Sequence, residues 1–391
     1  MAITLLSTLS LQTHSPQNQT TTLTATKPKK EHHPMSSHIL VSVILFFLSL
    51  PLIFLFSSKF LILTNFPFIS SPEADDLYLF RRAAATTIPH TTTHFSTATN
   101  PKPKIAFLFL TNSNLSFAPL WEKFFSSDNN RHLFNIYIHA DPTSAVADPG
   151  GVFHHRFIHS KKTYRSSPTL ISAARRLIAN ALLDDLLNQY FALVSQHCIP
   201  LFSFGFVYNY LFKDNLTSLT NFAPSQSLPR YQSFIEILSN EPRIYERYLA
   251  RGHDVMLPEV QFRQFRVGSQ FFVLTRRHAK LVVRDTRLWR KFRLPCIAAQ
   301  QCYPEEHYFA TLLSMEDRVG CTGFMLTRVN WTGCWDGHPH RYKQEEVSPN
   351  LIRDLRETNS SRHLYLFARK FSPESLLPLM NIADDVIFRD K

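Results

Sequence analysis

Glycine is scarce in this chain, 9 of 391 residues, and neither a GxGxxG nor a GxxxxGKS/T pattern occurs. Two common backbone cradles for nucleotide phosphates are thereby excluded. No Asp-x-Asp occurs either, so the acidic pair with which many sugar-nucleotide enzymes hold a divalent cation is missing. A departing diphosphate would here need arginine and lysine instead. The five cysteines, Cys198, Cys296, Cys302, Cys321 and Cys334, include no CxxC, the usual spacing of a structural zinc site. Their odd number leaves at least one thiol outside any internal bridge, and spacing assigns no pairs. Acidic residues are the minority, 30 against 42 Lys and Arg, for a net charge of +12. The excess is scattered in pairs such as Lys161/Lys162, Arg175/Arg176 and Arg276/Arg277, with no long basic run. That pattern argues against a nucleic-acid tail and leaves an anionic small substrate or an anionic membrane face.

Phenylalanine is plentiful, 34 residues, within a hydrophobic content of 44%, enough for one large domain with appendages. Ile39 to Phe56, ILVSVILFFLSLPLIFLF, carries no charge and is close to the ~20 residues that cross a bilayer as a helix. Pro51 is tolerated in such a helix, and the late start and length of the run set it apart from a cleaved signal peptide. Lys27, Lys29 and Lys30 precede it, against Lys59 after it, which places the N-terminus in the cytoplasm. The expected organisation is a disordered cytoplasmic tail at 1–38, a signal-anchor at 39–57 and a stem at 58–103. A lumenal domain follows at 104–391. Four sequons would then face the lumen, at Asn114, Asn215, Asn330 and Asn359.

From Lys104 the texture changes. Ile105–Leu110 and Asn135–His139 read as strands, with a shorter one at Phe157–Ile158. Ser167-Pro168 reads as an N-cap and first-turn proline opening an apolar-striped helix to about Leu187. Tyr190–Val194 and Gly268–Thr275 read as further strands, Arg276–Phe292 as a helix and Phe324–Val329 as a last strand. Strands alternating with helices predict an α/β domain with a parallel sheet and ligands at the strand ends.

The segment Cys302–Leu313, CYPEEHYFATLL, is the most suggestive for chemistry. Pro304 suits a first helical position, so Glu305 and Glu306 fall in the first turn, where the helix dipole favours carboxylates. A carboxylate fixed on a rigid helix start suits a general base, and the helix argument does not choose between the two. Asp141, directly after a strand, suits either a sugar hydroxyl or a plain turn. Arg341, closing the loop from Trp335, and Lys370 in FARKF are candidate partners for a diphosphate.

Taken in order, IAFLFLTNSNL, NIYIHADP, YFALVSQHCIPL, GSQFFVLTRRHAKLVV, CYPEEHYFATLL, TRVNWT, DGHPHR and LFARKF resemble the core-2/I-branching β-1,6-N-acetylglucosaminyltransferase family, in its plant branch. The resemblance implies a Golgi type II membrane enzyme with a GT-A-like, Rossmann-type fold. It further implies inverting transfer from a UDP-sugar to a glycan or glycoprotein hydroxyl, without a metal or other cofactor. GlcNAc is the donor sugar of the family's name, and relatives that transfer glucuronic acid or xylose make those the alternatives. A non-catalytic, membrane-anchored glycan-binding protein is the rival of a different class. The matching motifs put the base on Glu306, nucleotide-sugar contacts on Asp141, Arg341 and Lys370, and acceptor contacts on Glu236, Arg247 and Trp331. Ile244 stands where the animal enzymes carry an acceptor-site lysine.

Overall fold

A computed structural model describes residues 45–47, 72–86, 102–126, 130–214, 231–334, 338–357 and 363–389. The chain divides at Ser70. Of the first unit only Leu45–Phe47 is described, as helix, so the anchor expected at 39–57 lies almost wholly outside the described residues. No helix among the described residues is long and apolar enough to cross a membrane.

The second unit is a mixed α/β fold around a six-stranded sheet. Its strands are β1 (Lys104–Thr111), β2 (Phe134–Ala140), β3 (Asn188–Ser195), β5 (Ser233–Glu236), β6 (Val273–Thr275) and β7 (Cys321–Gly323), in the order β2-β1-β3-β6-β5-β7. A three-stranded sheet joins β4 (Ile199–Pro200), β9 (Phe367–Arg369) and β8 (Thr327–Val329). The expectation of a parallel sheet holds for β2-β1-β3. It fails at β6, which runs antiparallel to both β3 and β5. β6 has only three residues, and Gly268–Phe271, just before it, line the main cavity.

Burial on both faces explains why β1 reads as an unbroken apolar run. On one face lies α3 (Pro168–Asp184), packed on β1, β2 and β3. Its Ser167 N-cap accepts from the Thr169 N–H at 3.2 Å, as the sequence predicts. On the other face, α2 (Ala118–Phe125) brings an aromatic cluster against Phe107, whose ring centroid lies 6.0 Å from Trp121, 5.8 Å from Phe124 and 5.1 Å from Phe125. Edge-to-face pairs of this kind contribute beyond their buried area, which gives much of the phenylalanine a place.

Two helices differ from their sequence patterns for local reasons. α3 stops at Asp184, because Asp185 is extended and its carboxylate ties Lys104 at 2.8 Å and accepts from Leu187 N at 2.8 Å. The helix expected over 276–292 breaks after α5 (Arg276–Arg284). There Asp285 accepts from the N–H groups of Leu288 and Trp289 at 3.0 and 2.9 Å and so caps a separate helix, Arg287–Phe292. Part of the segment expected as stem is folded: α1 (Pro72–Ala85) packs on α3 and α5. Its Asp76 pairs with Arg176 and with Lys161, and Phe80 lies under the Arg175 guanidinium at 4.5 Å.

Ser233, His278 and Asp317 are linked at 2.7 and 3.0 Å, the order of groups found in a hydrolase triad. Ser233 and His278 are fully buried, so the chain of bonds ties β5 to α5 and to α6 (Pro304–Asp317) and faces no substrate.

Candidate active site

A cavity of about 970 Å³ opens at the carboxyl ends of β1, β3 and β5, where Leu110, Thr111, Ser195 and Glu236 line it. This is where an open α/β sheet gathers its ligand-binding loops. The remaining walls come from the start of α6, the end of β9, Gly268–Phe271 and α4 (Ile244–Leu249).

The start of α6 is fixed from both sides. A disulfide joins Cys296 to Cys302, Tyr303 takes a left-handed conformation with φ 37°, and Pro304 opens the helix. Both glutamates line the cavity, but in different surroundings. Glu305 is 6% exposed, and its Oε2 has no hydrogen-bond partner among the described residues. Burial pushes its carboxyl up to about 7. Glu306 is more open, and its Oε2 accepts from Arg247 Nη1 at 3.0 Å. Burial raises the Glu306 carboxyl above its ordinary value, against the pull of Arg247, Arg369 and Arg165. His307 turns away: its Nδ1 is 2.8 Å from the Arg266 carbonyl, it stacks on Phe265, and burial holds it neutral, down at about 3.

Glu236 lines the same cavity within electrostatic reach of Glu306, its Oε2 accepting from Ser269 N at 3.0 Å, with burial raising its carboxyl. The two glutamates are held together through one glycine. Gly268 N donates to the Glu306 carbonyl at 2.8 Å, and a Cβ at Gly268 would collide with the Glu236 carbonyl oxygen. Gly268→Ala should therefore push the two walls apart. Overpacking of this kind costs about 1–3 kcal/mol, so urea unfolding of the variant should show a stability loss in that range, together with weakened turnover.

The cavity also carries cations. Lys370, Arg369, Arg165 and His197 line it. His197 is pushed down to about 4 by burial and by Lys370, Arg341 and Arg369, so it is neutral near pH 7. Lys370 is lowered by burial and by Arg341, Arg369 and Arg165. The register that presents it is set by β9 and by the Tyr342 N–H, which donates to the Lys370 carbonyl at 2.8 Å.

Of the residues singled out in the sequence, Glu306, Glu236, Arg247, Trp331 and Lys370 all line this one cavity. Trp331 is half exposed at its lip. Arg341 is exposed and does not line it, although its charge reaches Lys370. Asp141 does not line it either. Its Oδ1 accepts from the N–H and hydroxyl of Thr143, at 2.8 and 2.7 Å, and its Oδ2 from those of Thr163, at 2.7 and 2.8 Å. Four bonds occupy the roughly four acceptor sites of a carboxylate. Burial would raise this carboxyl, yet these bonds outweigh it and hold the group well below the usual carboxylate range. Asp141 thus ties the loop after β2 to the segment that carries Thr163 and Arg165 into the wall. Arg369 and Arg165 were not singled out in the sequence; the signal for Arg369 was its place beside Lys370 in FARKF.

Among the sequons, Asn114 is exposed and Asn330 half-buried; their side-chain oxygens accept from Ala147 N and Thr332 N, each at 2.9 Å. Asn215, Asn359 and the loop residues 335–337 lie outside the described residues. Among the described residues, no group of three or more His, Cys, Asp or Glu could hold a metal ion.

A family model for the Core-2/I-Branching enzyme matches residues 105–356. The chain belongs to the core-2/I-branching family. It is also similar to a protein of Oryza sativa subsp. japonica named Glycosyltransferase BC10, 27% identical over 332 residues that cover 72% of this chain and 76% of the rice protein. The core-2/I-branching match takes in Asp141, Glu236, Arg247, Glu306, Trp331 and Arg341, while Arg369 and Lys370 lie just past its end. Family and relative together make this a glycosyltransferase-type protein.

Proposed function

We propose that the chain is a metal-independent inverting glycosyltransferase in which Glu306 is the general base. The observation that carries this reading is the polarity of the cavity. A carboxylate on a rigid helix start, oriented by Arg247, shares the cavity with Arg165, Arg369 and Lys370, and the two arginines act electrostatically on it. Inversion needs such a layout. The base takes the proton of an acceptor hydroxyl on one side of the anomeric carbon, and the sugar–phosphate bond breaks on the other. UDP then leaves with the bonding electrons, and Lys370 and Arg341 balance its growing charge.

In this reading the donor is a UDP-sugar, with GlcNAc the first to try on family grounds, and the acceptor is a glycan or glycoprotein hydroxyl. Glu236, Arg247 and Trp331 stand on the acceptor side. The GT-A-like fold fits the mixed α/β sheet, and the uncharged run at Ile39–Phe56 would serve as the type II anchor of a Golgi enzyme. The test is a donor screen with the full chain. UDP release from UDP-GlcNAc, UDP-glucuronate or UDP-xylose, dependent on an added glycan acceptor, supports the reading; no release with any of them ends it. With the active donor, excess chelator should leave turnover unchanged, since cations on the protein do the work of a metal. Strict dependence on added Mn²⁺ would contradict that part.

A further inference from the structure

His197 follows the carboxyl end of β3 and lines the cavity, half-buried, within electrostatic reach of Lys370, Arg341 and Arg369. Its ring is held by a reciprocal pair of bonds. Phe371 N donates to the His197 carbonyl at 3.2 Å, and His197 Nδ1 lies 3.2 Å from the Phe371 carbonyl oxygen. A carbonyl only accepts, so Nδ1 carries the ring proton. Burial and the three cations keep the imidazole neutral near pH 7, and a neutral ring protonated on Nδ1 has a lone pair on Nε2. Nε2 has no hydrogen-bond partner among the described residues. Neighbouring side chains at these strand ends are engaged with one another. Gln196 Nε2 donates to Asn112 Oδ1 at 2.8 Å, the Thr111 hydroxyl donates to the Ser113 carbonyl, and Ser195 Oγ lies 3.3 Å from Cys198 Sγ. Lysine and arginine side chains offer donors only. His197 Nε2 therefore sets a fixed acceptor beside them.

We propose that His197 is a specificity-determining residue whose Nε2 accepts a hydrogen bond from a hydroxyl of the donor. Charge alone does not tell one diphosphate from another. A sugar nucleotide carries hydroxyl groups on both sides of its diphosphate, on the ribose and on the transferred sugar. A fixed acceptor beside the cations pairs with one of these O–H groups, and a donor lacking it leaves the imidazole nitrogen unpaired in the complex. Sites built to pair with a hydroxyl reject analogues without it for this reason. The place of His197 favours the nucleotide half. β1 and β3, whose carboxyl ends it adjoins, are parallel strands of the kind that bind nucleotides there, whereas Glu236 and Glu306 come from β5 and α6.

The proposal rests on the UDP-sugar reading, and the test separates the two. UDP, its 2′-deoxy and 3′-deoxy analogues, UDP-GlcNAc, UDP-glucuronate and UDP-xylose are titrated into the full-length wild-type chain, His197→Asn and His197→Gln. Asparagine keeps an N–H for the Phe371 carbonyl and withdraws the acceptor, whereas glutamine carries an acceptor to the reach of Nε2. One neutral hydrogen bond corresponds to about 2- to 12-fold in affinity. The wild type should bind UDP more tightly than one deoxy analogue by that factor. His197→Asn should bind the two alike, and His197→Gln should fall between. If the hydroxyl belongs to the transferred sugar, His197→Asn should keep its affinity for UDP and lose that factor for the tightest-binding UDP-sugar. A wild-type chain that binds neither UDP nor any UDP-sugar overturns the UDP-sugar reading and this proposal with it. Wild-type binding that His197→Asn matches for every ligand overturns the proposal alone. So does an equal loss for UDP and both deoxy analogues, which would make His197 a brace for Phe371.

Discussion

Glu306→Gln should lower kcat by about 10²- to 10⁴-fold, the usual contribution of a positioned general base, while the fold persists. The exchange keeps shape and removes the charge. The α6 start is held by the Cys296–Cys302 disulfide, by Pro304 and by the Gly268 N–H on the Glu306 carbonyl, none of which needs the carboxylate. Arg247 loses its counter-charge but still packs its guanidinium 5.1 Å from the Tyr303 ring centre. Unchanged circular dichroism with lost turnover is thus the expected pair of results, and near-normal transfer by Glu306→Gln would remove Glu306 from the mechanism. The pH profile has a definite sign. A base must be ionised to work, and burial holds this carboxyl above its ordinary value. Wild-type turnover should therefore decline as pH falls through that raised pKa, at higher pH than for an exposed glutamate. The variant, with no carboxylate to titrate at position 306, should lack the part of that limb due to Glu306.

Lys370→Met should produce the second large loss, about 10²- to 10³-fold in kcat, comparable to deleting one preorganised donor to a developing oxyanion. Lys370 is half-buried, and burial and three neighbouring cations lower its proton affinity. No described carboxylate pairs with it, so its removal relieves the resting protein and harms the transition state. Stability of the variant should be unchanged or higher by thermal melting. A variant equally active but less stable would mean that Lys370 is structural. Arg341, at the rim and exposed, should matter less than Lys370 in the same assay.

The parts of this architecture that could be read in the sequence are those decided by local forces. β1 is apolar at nearly every position because it is covered on both faces, and the Ser167-Pro168 cap is a contact between residues two apart. The start of α6 announced itself through Pro304 and its two glutamates. The antiparallel β5-β6 pairing did not, because three- and four-residue strands carry too little periodicity and are fixed by distant partners. Asp141 shows the same limit at the site. The sequence put a carboxylate at a strand end, but only the fold reveals that Thr163, 22 residues on, consumes half of its hydrogen-bonding capacity. Glu305 and Glu306 are neighbours with the same side chain, and what separates them is which one meets Arg247, 59 residues away.

The helix α1 bears on where the folded unit could be trimmed. Arg176 and Lys161 share Asp76, and Arg175 lies over Phe80. A peptide bond cut before Pro72 would leave the folded body with this helix in place. A cut just after Ala85 would instead leave Arg175 and Arg176, both buried, facing an emptied surface. Lys161 lies two residues from Thr163 and four from Arg165, which lines the cavity. The position of a cut, more than the fact of one, would thus decide whether a trimmed form keeps the cavity wall that carries Arg165.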